Sequence, residues 1–513
     1  MPSIPRNKFD LSHEVKTTGD MGYQIPIMCE EVLPGDSFRF SQETLARLAP
    51  LISPTMHNID IKTWFFFVPN RLIMTEWEDF ISGQGNVEWP YVTIQDGDND
   101  VGSLGNYLGY PDPGTLGDGL KASALPFAAY DKIYKDWFIS EDLGGTLDNI
   151  VAVPGDNPNL RTLMNNAPRR ANWERDYFTS ALTTPQKGNA ILIPLTEQNP
   201  IVTVREDQLQ AGAFRNAAND TVLSGDASFP YPYLTTGDTD MKIDKTGPVT
   251  YDAYYDPQGT LEVDANFYAS TIDTLRTAFK VQQYLESLIR GGSRYFEWVR
   301  SFFGTTPSDA RLQRSEYIGC TKQRMVISEV LSTANTQVDT DVTPVGSLAG
   351  HGISAGGGNI HSYRAEEHGW IMGIMAVVPQ TAYSQGIARK YTREDYLSYA
   401  IPMFANIGEQ ETLRKELYAA CTPAQQEAGV GYQPRYAEYR YNNSRITGEF
   451  KTTLNFWHLG RIFETAPTLG QAIECNPSMR IFAVEEGHHI YAQIILNVYV
   501  NRNLPRFGVP SLM

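Results

Sequence analysis

The chain has 513 residues, 42% hydrophobic and 20% charged, a balance that excludes a disordered polymer and fits a folded globular protein. Its 42 glycines, 31 prolines and 28 tyrosines favour many short strands joined by irregular loops over long helices. The net charge of −17 argues against a free nucleic-acid-binding protein, because counterion release needs concentrated positive charge.

Met1 to Asp10 contains no apolar signal-peptide core, so a soluble protein made inside a cell is expected. Met21 to Leu33 is β-rich and closed by the turn Pro34-Gly35-Asp36. Phe38 and Phe40 then alternate with Arg39, the period of a half-buried strand. Ile61 to Val68 reads IKTWFFFV and stops at Pro69-Asn70. A short run that is nearly all apolar predicts a strand covered on both faces.

Residues 84–160 change character, with much Gly, Asp, Asn and Pro between scattered apolar anchors. They read as an inserted acidic loop region: residues 88–160 hold 12 acidic and 3 basic side chains. Residues 201–270 hold 11 acidic and 4 basic and read as an inserted acidic protrusion on the surface. A helical segment follows over 271–304. Ile272, Leu275, Phe279, Leu285, Leu288 and Ile289 form its apolar stripe, Gly291-Gly292 ends it, and Tyr295 to Phe303 makes a second short helix before Gly304. Met325 to Val330 and Trp370 to Val378 read as strands, with Gly346 to Gly358 as a glycine-rich loop between them.

Ile490, Ala492, Ile494, Leu496, Val498 and Val500 alternate with Tyr491, Gln493, Ile495, Asn497 and Tyr499, the clearest strand in the chain. Strands at both ends with long excursions between them suit an antiparallel double sheet closed by its termini. The fold class expected is therefore mainly β, an eight-stranded antiparallel jelly roll spanning 1–513, with long inserted loops and a few helices.

The four cysteines, Cys29, Cys320, Cys421 and Cys475, form no CxxC and read as reduced, buried thiols. Among the eight histidines there is no HExxH. His488 and His489 are adjacent, so in a strand they would point to opposite faces. Gly356-Gly357-Gly358 precedes no Lys-Ser/Thr, so it is no phosphate loop. Asp96, Asp98 and Asp100 lack the acidic residue a calcium loop needs at its twelfth position, which is Tyr107. No catalytic residue, metal ligand or cofactor is assigned. The apolar runs Trp64 to Val68 and Ile371 to Val378 are too short to span a bilayer.

Several blocks occur in order from end to end: Phe9 to Phe38, Phe65 to Gly83 (FFFVPNRLIMTEWEDFISG), Trp173 to Gly188, Ser293 to Gly319, Glu367 to Tyr391, and Gly431 to Phe450 (GYQPRYAEYRYNNSRITGEF). Together they resemble the major capsid proteins of microviruses, of the gokushovirus type. The resemblance implies a viral-capsid jelly roll and sixty copies in a T=1 shell around a circular single-stranded DNA genome. It also implies a spike-like insertion at the three-fold axes used on a host surface receptor, and an internal scaffolding protein and a DNA pilot protein as partners. The place of such a protein is the virion, assembled in the bacterial host cytoplasm without membrane insertion.

The run Tyr432, Arg435, Tyr436, Tyr439, Arg440, Tyr441, Arg445 combines cations with aromatic faces. It can hold a neighbouring subunit or stacked nucleotide bases. Phe303, Tyr436 and Tyr439 are taken as interface residues. Residues 430–513 hold 8 basic against 6 acidic side chains, and Arg440, Arg445 and Arg506 are taken as DNA contacts. Two alternatives stand beside the shell protein. One is a secreted β-protein that binds or cleaves carbohydrate, and the other is a single-stranded-DNA-binding protein outside a virion.

Overall fold

The computed structural model describes residues 6–111, 119–139, 143, 150–188, 272–292, 294–333 and 346–506, with the backbone of short strands inside 201–264 and 336–343. The chain groups into two compact units, Met1–Lys187 with Glu286–Met513, and Gly188–Leu285.

The main strands of the first unit are β1 (Asn7–Asp10), β2 (His13–Gly19), β3 (Ile25–Val32), β4 (Ser37–Leu48) and β5 (Ile59–Pro69). After a long excursion come β6 (Glu316–Arg324), β7 (Val326–Leu331), β8 (Leu348–Gly357), β9 (His361–Arg364), β10 (Gly369–Pro379) and β11 (Ile490–Arg502). They form two antiparallel sheets. The first runs β1–β11–β4–β8–β7, with β2 also on β11 and β9 also on β4; the second runs β6–β5–β10–β3. The protein is mainly β.

The two sheets face each other across one core. Strand β11 buries Ile490, Ala492, Ile494, Leu496, Val498 and Val500, and turns the residues between them outward. Strand β4 does the same with Phe38, Phe40, Ala46 and Leu48. From the second sheet Ile59, Ile61, Phe65 and Phe67 of β5 and Ile371, Met375 and Val377 of β10 meet them. Phe40 and Phe65 touch edge to face, with ring centroids 5.0 Å apart. Gln42 is buried there and donates to Thr44 and Thr63 at 2.7 and 3.0 Å, which offsets the cost of enclosing its NH2 group.

Strand β5 is covered on both faces, as its run of apolar residues predicts. Phe66 and Val68, with Met372 and Ile374 of β10, face a second core on the far side of the sheet. Ile73, Met74 and residues 84–165 supply the rest of that core. Among the described residues this segment contains strands Pro90–Ile94 and Leu120–Ser123 and the helices α1 (Leu125–Ile133) and α2 (Pro158–Asn165). Helix α1 opens with a proline in its first turn and buries Leu125, Phe127, Ala128, Ala129, Tyr130 and Ile133. Being apolar on nearly every side suits a helix enclosed by the fold. The Tyr130 hydroxyl donates to the Gln24 carbonyl and accepts from the Arg169 amide, both at 2.9 Å. Asp98 in this segment is held by Arg161 at 2.8 and 3.0 Å and by Asn165 at 2.5 Å.

Two sequence expectations are corrected. The glycine-rich stretch 346–358 is not a loop: most of it is strand β8, paired to β4 and β7. Its glycines are there because neighbours come close. A Cβ on Gly350 would lie 2.6 Å from the Ser53 carbonyl oxygen, and one on Gly352 would lie 2.5 Å from the Leu48 side chain. The four cysteines are free but not all buried. Cys475 is enclosed and burial pushes its thiol up to about 12, whereas Cys320 is exposed and Cys29 and Cys421 are half-buried.

Helices α3 (Ile272–Gly291) and α4 (Tyr295–Phe303) follow the acidic segment. Gly304 ends α4 in a left-handed conformation, φ 67°. In the second unit Ile201–Val204 pairs with Leu261–Asp264, and Thr250–Asp256 pairs with Ala213–Asn216 and Lys242–Asp244. The rest of the expected 201–270 protrusion lies outside the described residues.

The alternation in β11 sets an expected contrast. Ile494→Ala, at a site 0% exposed, should cost about 2–5 kcal/mol. Ile495→Ala, one residue along and 39% exposed, should cost under about 1 kcal/mol. Urea unfolding of the unassembled subunit measures both, and equal losses would contradict the register.

Candidate functional site

The tyrosine-arginine run begins in strand Gly429–Pro434, which pairs antiparallel with Glu409–Leu413. Tyr436 follows in a left-handed conformation, φ 65°, which a non-glycine residue adopts only when its surroundings impose it. Here the Tyr436 amide donates to the Gln410 side chain at 3.2 Å. The Gln410 amide donates to Glu438 at 2.6 Å, and Glu438 also takes Arg393 at 3.0 Å. The Arg393 guanidinium in turn lies 4.7 Å from the Tyr439 ring.

This network sorts the expected interface residues. Tyr436 is 5% exposed; its ring packs within its own subunit, centroid 6.3 Å from and nearly perpendicular to Tyr439. Tyr439 is 54% exposed. Phe303, 66% exposed, ends helix α4, none of whose residues is buried. Trp298 gathers Tyr295, Phe302 and Phe303 around it at centroid distances of 6.2, 5.5 and 5.4 Å. Aromatic surface grouped in this way is uncommon on a solitary soluble protein.

The basic residues near the C-terminus divide sharply. Arg461 is buried and donates to the carbonyls of Ala472 and Gln471. Arg480 donates to the carbonyls of Asn455 and Gly460, and Arg502 pairs with Asp36 at 2.7 Å. These arginines hold the fold. Arg440, Arg445 and Arg506 are exposed, and none has a side-chain partner among the described residues. Arg445 lines a cavity of about 280 Å³ with Tyr177, Phe178, Tyr383, Arg389 and Tyr441. Glu416 on its wall accepts from the Tyr177 hydroxyl at 3.0 Å, and burial raises its pKa although Arg389 works the other way. Arg506 lies beyond the end of β11, and no contact among the described residues joins it to this cavity.

Sequence reading missed a second concave surface. The outer face of the first sheet carries a cavity of about 580 Å³ whose lining includes Lys16, Arg47, Tyr107, His488 and Tyr491. The outward positions of Arg47 and Tyr491 were legible from strand alternation. Their meeting with residues 16 and 107 depends on the pairing of distant strands, for which a single sequence carries no local signal.

The comparisons with known proteins decide the family. The family model for capsid protein (F protein) matches residues 1–512. The chain belongs to this phage capsid family. Capsid protein VP1 of Chlamydia phage 1 is 32% identical, over 99% of this chain and 96% of its own length. That of Bdellovibrio phage phiMH2K is 33% identical over 100% and 96%, and that of Spiroplasma virus 4 is 26% identical over 99% and 96%. The microvirus resemblance read from the scattered blocks therefore holds. The protein is a structural component of the virion and not an enzyme, and the carbohydrate-active alternative is set aside. Among the described residues no helix is long and apolar enough to cross a membrane.

Proposed function

We propose that sixty copies of this chain close into a T=1 icosahedral shell around a circular single-stranded DNA genome, each copy built on an eight-stranded jelly roll. The observation that carries this reading is the nesting of the strand pairs. Taking β2, β3, β4, β5, β6, β8, β10 and β11 as the eight, the first pairs with the last, β2 on β11. The second then pairs with the seventh, β3 on β10, the third with the sixth, β4 on β8, and the fourth with the fifth, β5 on β6. A long antiparallel ribbon rolled on itself gives that nesting. Assembly in the host cytoplasm, with an internal scaffolding protein and a DNA pilot protein as partners, belongs to the same reading.

A closed shell needs several distinct interfaces per subunit. The aromatic face of α4 and the exposed ring of Tyr439 serve as two of them, with Tyr436 fixing Tyr439 from behind. Phe303→Asp should leave a folded subunit and abolish particles of megadalton size in sedimentation. Normal particles from this variant would remove α4 from the interface.

The acidic segment 201–270 is the outward protrusion that meets the host receptor, supported by its strong negative balance and its Gly, Asp and Thr content. Limited proteolysis of intact particles should cut within it first. Protection there, with cleavage in β11 instead, would contradict the placement.

Arg440, Arg445 and Arg506 contact the genome, as exposed cations without carboxylate partners among the described residues. Replacing all three with glutamine should give intact shells with less, or less ordered, DNA. Weakened shells with normal DNA content would make them subunit contacts instead.

A further inference from the structure

The cavity on the outer face of the first sheet has the chemistry of a nucleotide seat. Its floor is set by register across three strands. Tyr491 of β11 stands between Thr18 of β2 and Arg47 of β4, and one step along the strands Gln493 stands between Lys16 and Leu45. Neighbouring strands lie about 4.8 Å apart, so Lys16 and Arg47 lie on opposite sides of the Tyr491 ring. That ring is 44% exposed, enough to offer a face. The wall comes from residues 101–107 and His488. The Tyr107 and His488 rings stack at 6.4 Å and 29°, and Thr18 Oγ1 lies 2.8 Å from His488 Nδ1. Gly102 lets the wall come this close: its φ is +92°, and a Cβ there would sit 3.3 Å from His488 Nε2.

The charge of the cavity has one sign. Lys16 and Arg47 supply it beside the His488 ring, and no carboxylate lines the cavity. Arg47 has no acidic partner among the described residues. Glu14, on the same face one row along β2, is engaged by Lys16 at 3.3 Å and by the Gln493 amide at 2.5 Å. Asp20 behind the wall is held by His489 at 2.7 Å. A volume of about 580 Å³ lies within the usual range for small-ligand sites.

We propose that this cavity seats one nucleotide of the enclosed single-stranded DNA, with Lys16 and Arg47 on successive phosphates and the base stacked on Tyr491. It rests on the genome-enclosing reading above and adds a contact on a surface separate from Arg440 and Arg445. Two tyrosine rings and the Asn106 amide beside the cations favour a nucleotide over an acidic peptide. A carboxylate chain would use the charges and leave the rings idle.

The test uses the full-length protein and a fluorescein-labelled oligothymidylate, read by anisotropy at several salt concentrations. The double variant Lys16→Gln, Arg47→Gln should bind about tenfold more weakly, with a log–log salt slope shallower by about 1.4, the loss of two single-strand phosphate contacts. Tyr491→Ser should also weaken binding, with its slope unchanged. Arg311→Gln, an exposed arginine elsewhere on the subunit, should match the wild type. All of these positions are exposed, and thermal unfolding checks that each variant is folded. Wild-type affinity in both the double variant and Tyr491→Ser would overturn the seat while leaving genome enclosure standing. A wild-type protein that binds no oligothymidylate would overturn both. Lost binding of an oligoglutamate probe by the double variant, with Tyr491→Ser normal on both probes, would make the cavity an acidic-peptide site and overturn the nucleotide assignment.

Discussion

Strand β5 has to be apolar on both of its faces, and much of the described architecture follows from that demand. Its odd-numbered residues from Ile59 to Phe67 fill the space between the two sheets. Phe66 and Val68 point the opposite way and would lie open to water if the second sheet were uncovered. Either side chain, left fully exposed, would forfeit about 1.5–3 kcal/mol. Residues 84–165 remove that exposure by laying α1, α2 and a small sheet over the outer face. It is the cover that lets one sheet carry apolar residues on two sides. Among the described residues the first sheet is covered over only part of its outer face, and β4 and β11 alternate buried with outward-facing residues, as half-exposed strands must.

This difference decides what each surface can do. A sheet face sealed by its own chain cannot recognise anything else. The face of the first sheet stays accessible along β2, β11 and β4, and its outward side chains come from strands far apart in the sequence. Rigid strands fix the spacing of those side chains better than loops would. The aromatic helix α4 is the opposite case, a short element whose exposed rings gain stability only when something else covers them. The two surfaces suit different tasks, one placing polar groups in register and the other, in the proposed shell, burying apolar area between copies.

Much of the β framework was legible because it obeys simple periods. The strict alternation of residues 490–500 and the two-faced run of 61–68 predict β11 and β5 on sight. Strand β8 escaped because glycine has no side chain to alternate, and close approach of Ser53 and Leu48, not loop chemistry, explains its glycines. Residues 84–160 read as loop because their elements are short and broken by Gly, Pro and Asp. The apolar anchors, including Ala128 and Ala129, collect into one core only after folding. At the site, Arg440 and Arg445 were legible as cations among tyrosines, but composition cannot separate them from Arg461, which is equally basic and entirely engaged inside. The burial of Tyr436 follows from a left-handed residue held by Gln410, which no pattern in the sequence announces.

The proposed enclosure of DNA by an acidic protein poses an electrostatic problem, and its solution lies in where the charges stand. Exposed charges farther apart than about 8–10 Å are largely screened at physiological salt. A phosphate therefore feels the nearest face and not the total of −17. Much of the negative excess sits in 88–160 and 201–270. The register turns Lys8, Lys16, Arg39, Arg47 and Arg364 outward on the first sheet, against Asp10, Glu14 and Glu43. Lys8 is already stacked over Tyr499 at 4.0 Å, a cation placed on an aromatic face within the same sheet. The balance there is positive by two, which is modest for one subunit. In the proposed shell every copy repeats it, and a strand held at many weak points needs no strong one. Segregating the acids into inserted segments lets the chain stay acidic overall while one face suits an anionic polymer. Net charge alone would have excluded that role.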